Sequence, residues 1–156
     1  MLSTTLLVSL LMGIVAGLRT FTAPAAVSWA ARFGFLNLSP TGLAFLGYSV
    51  TPWIFSVLAM IELVTDQLPT TPSRTVPMQF GARIFSGALS GAAVGAANGA
   101  LVPGLVAGVI GAVIGTLGGR AFRARMAAAF GNDHPAAFVE DAVAIGSAFL
   151  IVRGLV

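Results

Sequence analysis

The chain has 156 residues, of which 57% are hydrophobic and only 8% are charged, and its mean hydropathy is +0.97. Soluble domains carry about 25% charged residues, so this composition excludes an ordinary soluble domain and indicates a membrane protein. The net charge is +3 without a basic stripe for nucleic acid, and there is no cysteine, which excludes disulfide and thiolate chemistry.

The first apolar run predicts a helix over Thr4–Leu18. No basic residue precedes this run and no small-residue cleavage site follows it, so we expect a retained helix rather than a secretory signal. The next segment, Thr20–Leu36, contains Pro24 and would span only about 20 Å as a helix, against about 30 Å for the hydrocarbon core. It is therefore a half-helix inside the bundle, an interfacial helix or a short crossing.

A third helix is predicted from Leu43 to Asp66, with Pro52 as a kink or a new N-terminus. The loop Gln67–Met78 holds three prolines and should be extended. A fourth helix is predicted over Phe80–Leu101, followed by a tight hairpin at Pro103-Gly104.

The fifth helix is predicted over Leu105–Phe122, continuing towards Met126. A polar turn at Gly131–Pro135 then leads into a sixth helix, Ala136–Arg153. These elements predict an all-α fold, a polytopic transmembrane bundle of five to six short helices in one domain, 1–156.

Arginines concentrate in two loops and so predict the orientation of the bundle. The positive-inside rule places Gln67–Met78 and Arg120–Pro135 in the cytoplasm of a multi-pass protein of a bacterial inner membrane. If Thr20–Leu36 crosses, the halves 1–66 and 79–156 each contain three helices of opposite orientation, as in a 3+3 inverted repeat. The weak sequence similarity between the halves leaves this repeat as a hypothesis.

Small residues recur every four positions in the fourth and fifth helices. Such spacing makes a flat groove that lets two backbones approach closely, so we expect a glycine zipper between these helices. A glycine-lined substrate path is the alternative. The glycines assigned to packing are Gly87, Gly91, Gly95, Gly99, Gly108, Gly111 and Gly115.

Charged residues collect at the predicted cytoplasmic ends of the helices. Glu62 needs an arginine, a proton or a cation, because a carboxylate is disfavoured at a helix C-terminus. Structural ion pairing and helix capping are the alternative roles for the whole group. The candidate ion- or substrate-binding residues are Glu62, Asp66, Glu140, Asp141, Arg19 and Arg83.

The proline-rich loop offers hydroxyl groups and one guanidinium, so Ser73 and Arg74 are candidates for binding an anion such as a lipid phosphate. No set of His, Cys and carboxylate residues has metal-ligand spacing, although a metal site is left open. Phosphate-binding loops, dinucleotide fingerprints and nucleophile elbows are missing too. We therefore name no catalytic residue and expect no cofactor.

Four stretches of the chain resemble one protein family. They are Gly17–Ala26, Glu62–Arg74, Ala82-Arg83 with the glycines that follow, and Glu140–Ile145. The resemblance is to a family of small bacterial integral membrane proteins catalogued only as a domain of unknown function, and it covers nearly the whole chain. Gln67 stands where that family leads us to expect Lys. The resemblance implies a membrane protein and brings no activity with it.

Three functions fit these observations. The first is a small transporter or channel for an ion or small solute, a homo-oligomer in the lipid bilayer whose gate or coupling site is the charged cluster. In that case Glu62→Gln should abolish flux from a folded protein. The second is a membrane enzyme acting on lipid headgroups or polyprenyl phosphates. The third is a non-catalytic scaffold or assembly subunit in which the charges are internal ion pairs.

Overall fold

The computed structural model describes residues 1–68, 73 and 75–154. Within these residues the chain forms six α-helices and one short 3-10 helix, Ala44–Gly47, and no β-strand, which confirms the predicted all-α class. The helices are α1 Leu2–Leu18, α2 Thr22–Arg32, α3 Thr51–Thr65, α4 Pro77–Ala97, α5 Leu101–Phe130 and α6 Asp133–Arg153.

The centre of the fold is a layer of three helices, α1, α4 and α5, whose backbones touch at glycines. A Cβ atom added to Gly91 would lie 2.7 Å from the Cα of Gly108, and one added to Gly104 would lie 2.7 Å from the Cα of Gly95. Real Cβ atoms do not come that close to a backbone, so only glycine permits this spacing. These pairs also show that α4 and α5 run antiparallel.

The fifth helix uses a second glycine face against α1. Gly111 contacts Gly13, and Gly115 contacts Ile14, while Gly17 lies against the α5 backbone at Gly115. These contacts make α1 parallel to α5, and they add Gly13 and Gly17 to the glycines expected from the sequence. Gly99 differs from the prediction, because it lies in the α4–α5 turn with φ +71° and has no atom within 4 Å of its Cβ position.

The hairpin between α4 and α5 comes earlier than the sequence predicted. The chain turns at 98–100, where Gly99 takes the left-handed conformation. Pro103 lies in the first turn of α5, where a proline costs nothing because those backbone N–H groups have no helical partner. The predicted end of helix five is also wrong, since α5 continues to Phe130 and ends at Gly131, with φ +66°.

The third predicted helix is shorter than expected. Pro52 lies in the first turn of α3, so it marks a new N-terminus rather than a kink within a helix that starts at Leu43. Trp29 of α2 donates a 3.0 Å hydrogen bond from Nε1 to Ser56 Oγ of α3 and packs edge-on against Trp53. At its other end α2 begins beside the C-terminal turn of α3. The two helices therefore run antiparallel.

Large apolar side chains cover much of the outer surface, while many buried positions are small or polar. Among the outward side chains Phe85 is 71% exposed, Leu150 68% and Val64 67%. Within the described residues, α5 and α6 are long and apolar enough to cross a membrane, and α1 and α3 are apolar but shorter. The chain is thus a helical protein with two helices that could span a membrane.

Candidate functional site

The site is built around an interruption between two helices. The first helix ends at Leu18, Arg19 is extended (φ −140°, ψ 118°), and α2 begins at Thr22. Both Arg19 and Thr20 are buried, so their backbone groups and the two helix ends must find partners within the protein.

Side chains from two other helices satisfy the C-terminus of α1. Arg83 of α4 donates from Nη1 to the carbonyl oxygens of Gly17 and Leu18, at 2.9 and 2.8 Å. Thr116 of α5 donates from its hydroxyl to the Gly17 oxygen, at 3.3 Å. A guanidinium at this position also neutralises the negative end of the α1 dipole.

A carboxylate satisfies the N-terminus of α2. Glu62, in the last turn of α3, accepts hydrogen bonds from the backbone N–H groups of Thr20 and Phe21, at 2.7 and 2.9 Å. A negative charge is stabilised at a helix N-terminus, so Glu62 acts as the cap that α2 lacks in its own sequence. Arg83 Nη2 lies 3.7 Å from Glu62 Oε1 and links the two helix ends.

Arg19 lies between two aspartates that come from different helices. Its Nη1 donates to Asp66 at the end of α3, and its Nη2 donates to Asp141 in α6. The Arg19 side chain is completely buried and each aspartate side chain is 11% exposed. Because a guanidinium is planar and presents several donors, it can hold two carboxylates at once.

Glu140 belongs to an adjoining pair. It is 1% exposed, and its Oε2 lies 3.9 Å from Nη1 of Arg123 in α5. Arg123 also donates a 2.9 Å hydrogen bond from Nε to Asp133, at the start of α6. In the sequence, Arg123 is one of the arginines of the Arg120–Pro135 loop, which predict only the orientation of the bundle. Arg123 and Asp133 lie on either side of the short turn between α5 and α6. Their opposite charges and this spacing in the sequence could have revealed the contact between them.

A pocket of about 510 Å³ opens beside the interruption. Its polar lining includes the carboxylates Glu62 and Asp66, and its apolar lining includes Phe21, Ile61 and Met78. The remaining lining residues are Thr20, Leu58, Thr65, Leu68, Gln79 and Ala82. Two carboxylates that hold the network together are therefore also within reach of a molecule or ion in this pocket.

Five of the six charged residues singled out from the sequence thus meet directly at the α1–α2 interruption, and Glu140 contacts Arg123 beside them. Of the two anion-binding candidates in the loop, Ser73 Oγ lies 3.1 Å from Thr75 Oγ1, and Arg74 lies outside the described residues. In the described part of the chain, no three His, Cys, Asp or Glu residues are grouped so that they could hold a metal ion.

Comparison with known proteins identifies a family but no activity. The profile of the family described as "Domain of unknown function (DUF4126)" matches residues 6–153, so the chain belongs to that family. This confirms the resemblance to a domain of unknown function. Neither a curated protein nor a solved structure gives a significant match to the chain.

Proposed function

We propose that this member of the DUF4126 family is a small multi-pass membrane transporter or channel for an ion or small solute. Its gating or coupling site is the network defined by Arg19, Arg83, Glu62, Asp66 and Asp141, here called the charged network. The predicted homo-oligomer and the location in a bacterial inner membrane form part of the same proposal.

The outer surface supports a place in the bilayer. Apolar side chains point outward from α3, α4, α5 and α6, with Val57 at 55% and Ile114 at 50% exposed. A soluble protein rarely exposes such extended apolar patches. Lipid tails would solvate these apolar side chains, and a lipid environment is consistent with an interior that includes many Gly, Ala, Ser and charged residues beside its aliphatic core.

The observation that carries the proposal is the short link between α1 and α2, where two helix ends meet buried charges at a pocket. Helix termini presented at an ion or substrate site recur in transporters. Ionisable residues within a membrane bundle are costly, and they commonly mark ion or proton pathways. In this chain the pocket reaches Glu62 and Asp66, so a proton or cation bound there would compete directly with Arg19 and Arg83 for the carboxylates.

The inverted repeat stays part of the proposal as a hypothesis. Arg19 joins the two halves, because it is held by Asp66, which follows the third helix of the first half, and by Asp141, in the third helix of the second half.

The test is ion flux into liposomes that contain the purified protein and a trapped indicator for H⁺, Na⁺ or K⁺. We expect the wild type to dissipate at least one imposed ion gradient faster than empty liposomes do. Asp66→Asn should reduce this flux to the level of empty liposomes, because it removes the charge that faces both Arg19 and the pocket. Asp66 suits this test better than Glu62, since Glu62 also caps α2.

Asp133→Asn is the matched control, because it makes the same chemical change at a side chain that is 59% exposed. It should leave flux unchanged. If Asp66→Asn folds normally and conducts as well as the wild type, the charged network is not the coupling site. If the wild type moves none of the three ions, the result contradicts the transporter hypothesis and favours the scaffold hypothesis.

A further inference from the structure

The charged network contains more carboxylates than arginines. Two arginines, Arg19 and Arg83, face three carboxylates, Glu62, Asp66 and Asp141. When every group is ionised, the described residues of the network leave one negative charge without a cation. A buried charge without compensation is costly, so the network favours the addition of one positive charge.

The pocket beside the α1–α2 interruption is where that positive charge can enter. Its described lining contains Glu62 and Asp66 but no arginine, lysine or histidine, and these two side chains are 9% and 11% exposed. Both arginines of the network approach the same oxygen of Asp66, since Arg19 donates to Oδ2 and Arg83 Nη2 lies 3.9 Å from it. Oδ1 accepts no hydrogen bond from the described residues. The pocket therefore attracts a cation and repels an anion.

A second polar group of the pocket has an open hydrogen-bonding position. Thr20 lines the pocket and is only 5% exposed, and its backbone N–H and carbonyl oxygen are bonded to Glu62 and Ser86. Its side-chain hydroxyl makes no hydrogen bond to any described residue. Buried hydroxyls normally have a partner, because leaving one unsatisfied costs free energy. Thr20 can therefore accept a hydrogen bond from a donor that lies in the pocket beside the carboxylates.

The remaining lining selects the kind of cation. Phe21, Leu58, Ile61 and Met78 supply an apolar surface, and the volume of about 510 Å³ lies within the range of about 300–1,000 Å³ that small-molecule sites occupy. A metal ion needs several oxygen ligands, and no three His, Cys, Asp or Glu of the described residues are grouped to hold one. An organic cation can place its charge at Asp66 and its apolar part against the rest of the lining.

We propose that this pocket binds a primary organic ammonium ion that carries an alkyl or aromatic group. Its N–H groups donate to Oδ1 of Asp66 and to the hydroxyl of Thr20, and its apolar part packs against Phe21 and Met78. A primary ammonium has three donors and a quaternary ammonium has none, so the site prefers the primary ion. The inference names the class of solute for the proposed function, and it rests on that function for the role of the site.

The experiment measures binding of tritiated phenethylammonium to the purified protein in detergent by a scintillation proximity assay. We expect saturable binding that the unlabelled amine displaces. Phenethyl alcohol, which lacks the charge, and phenylacetate, which reverses it, should not displace the probe. Trimethyl(phenethyl)ammonium keeps the charge and the ring but has no N–H group, so it should displace the probe at least about tenfold more weakly.

Two variants locate the bound ammonium. Asp66→Asn should weaken binding by at least about tenfold, because it removes the carboxylate that receives the charge. Thr20→Val should weaken binding by about threefold to tenfold, and it should keep the thermal stability of the wild type, because the lost hydroxyl has no partner among the described residues. Asp133→Asn and Thr4→Val make the same chemical changes at exposed side chains and should bind as the wild type does.

Binding and flux together separate this inference from the proposed function. The inference is wrong if the folded wild type shows no saturable binding of phenethylammonium, or if either Asp66→Asn or Thr20→Val binds it as tightly as the wild type. Flux of H⁺, Na⁺ or K⁺ that depends on Asp66, without binding of the amine, would overturn the inference and leave the proposed function standing. Binding that depends on Asp66, without flux of these ions, would support the ammonium site and contradict ion transport.

Discussion

Arg19 is a large side chain that the fold buries completely, and its charge is balanced by Asp66, at the end of α3, and by Asp141 of α6. A buried ion pair contributes modestly by itself, but removing one partner leaves the other charge without compensation. Arg19 is therefore a point at which one substitution should disturb α1, α3 and α6 together.

We expect Arg19→Leu to destabilise the protein by about 3–5 kcal/mol, because Asp141 would lose its arginine and Asp66 would be left with Arg83 at 3.9 Å. Chemical unfolding in detergent measures this loss. Arg32→Leu, at the exposed end of α2, is the control for removing an arginine. If the two substitutions cost the same, the Arg19 pairs do not stabilise the fold. Adding Asp66→Asn to Arg19→Leu should recover part of the loss.

Single glycines control how closely the central helices approach. A Cβ on Gly108 would overlap the carbonyl of Gly87 and lie 3.0 Å from the Cα of Gly91. Gly108→Ala should therefore force α4 and α5 apart and cost about 1–3 kcal/mol, as overpacking does. Gly118→Ala is the matched control, since nothing lies within 4 Å of its Cβ position.

Gly118→Ala should be neutral or should stabilise α5 by up to about 1 kcal/mol, because alanine is the better helix former. Thermal denaturation, monitored by size-exclusion chromatography, compares the melting temperatures of the two variants. An equal melting temperature for Gly108→Ala and Gly118→Ala would contradict the close contact between the helices.

At the scale of the elements, α2 depends on a cap that comes from another helix. Its own N-cap residue, Phe21, provides no side-chain hydrogen bond, and Glu62 of α3 takes that role. We expect Glu62→Gln to weaken α2 by about 1 kcal/mol, because an amide offers one acceptor oxygen and places a donor against the second N–H group.

Hydrogen exchange measured by mass spectrometry tests this prediction locally. Protection should fall in the first turn of α2, at Thr22–Ala25, while α6 keeps its protection. Asp133→Asn again serves as the control, and it should leave α2 unchanged. If Glu62→Gln exchanges like the wild type throughout α2, the cap does not hold the helix.

The sequence was sufficient to predict the helices whose formation depends on their own residues. Long apolar runs predicted α1, α4 and α6, and α1 ends at Leu18 as expected. The α4–α5 turn was misplaced because Pro103 and Gly104 resemble a turn, yet the proline fits a first helical turn and the glycine is required for packing. In such cases the tertiary contact, rather than the local preference, determines the structure.

The charged network was only partly predictable for the same reason. Apolar surroundings and helix ends were enough to single out Arg19, Glu62 and Asp66. Their partners depend on which backbone lies opposite, so the cap formed by Glu62 on α2 could not be read from spacing along the chain. The spacing Gly13-x-x-x-Gly17 in α1 was visible in the sequence and would have indicated the second glycine contact.

At the scale of the whole molecule, the distribution of polar and apolar residues is the one that the proposed lipid environment requires. The interior contains arginines paired with carboxylates, and hydroxyls most of which donate to backbone carbonyls, while much of the exterior is aliphatic and aromatic. If the proposed location in lipid is correct, there is no hydrophobic force between the helices, and close glycine contacts and buried polar bonds hold the bundle together. The network and the glycine faces are thus complementary parts of one packing scheme.

The orientation of the bundle is a prediction that the absence of cysteine makes simple to test. Asn98 is exposed in the α4–α5 turn, and His134 is exposed at the start of α6, near the end of α5 that carries Arg120, Arg123 and Arg125. The positive-inside rule places His134 in the cytoplasm and Asn98 on the outer side.

In intact bacterial cells, a membrane-impermeant maleimide should label Asn98→Cys and spare His134→Cys. Permeabilised cells should label both, which verifies that each thiol is reactive. The reverse pattern in intact cells would invert the orientation, and labelling of both sites there would contradict a bilayer between them.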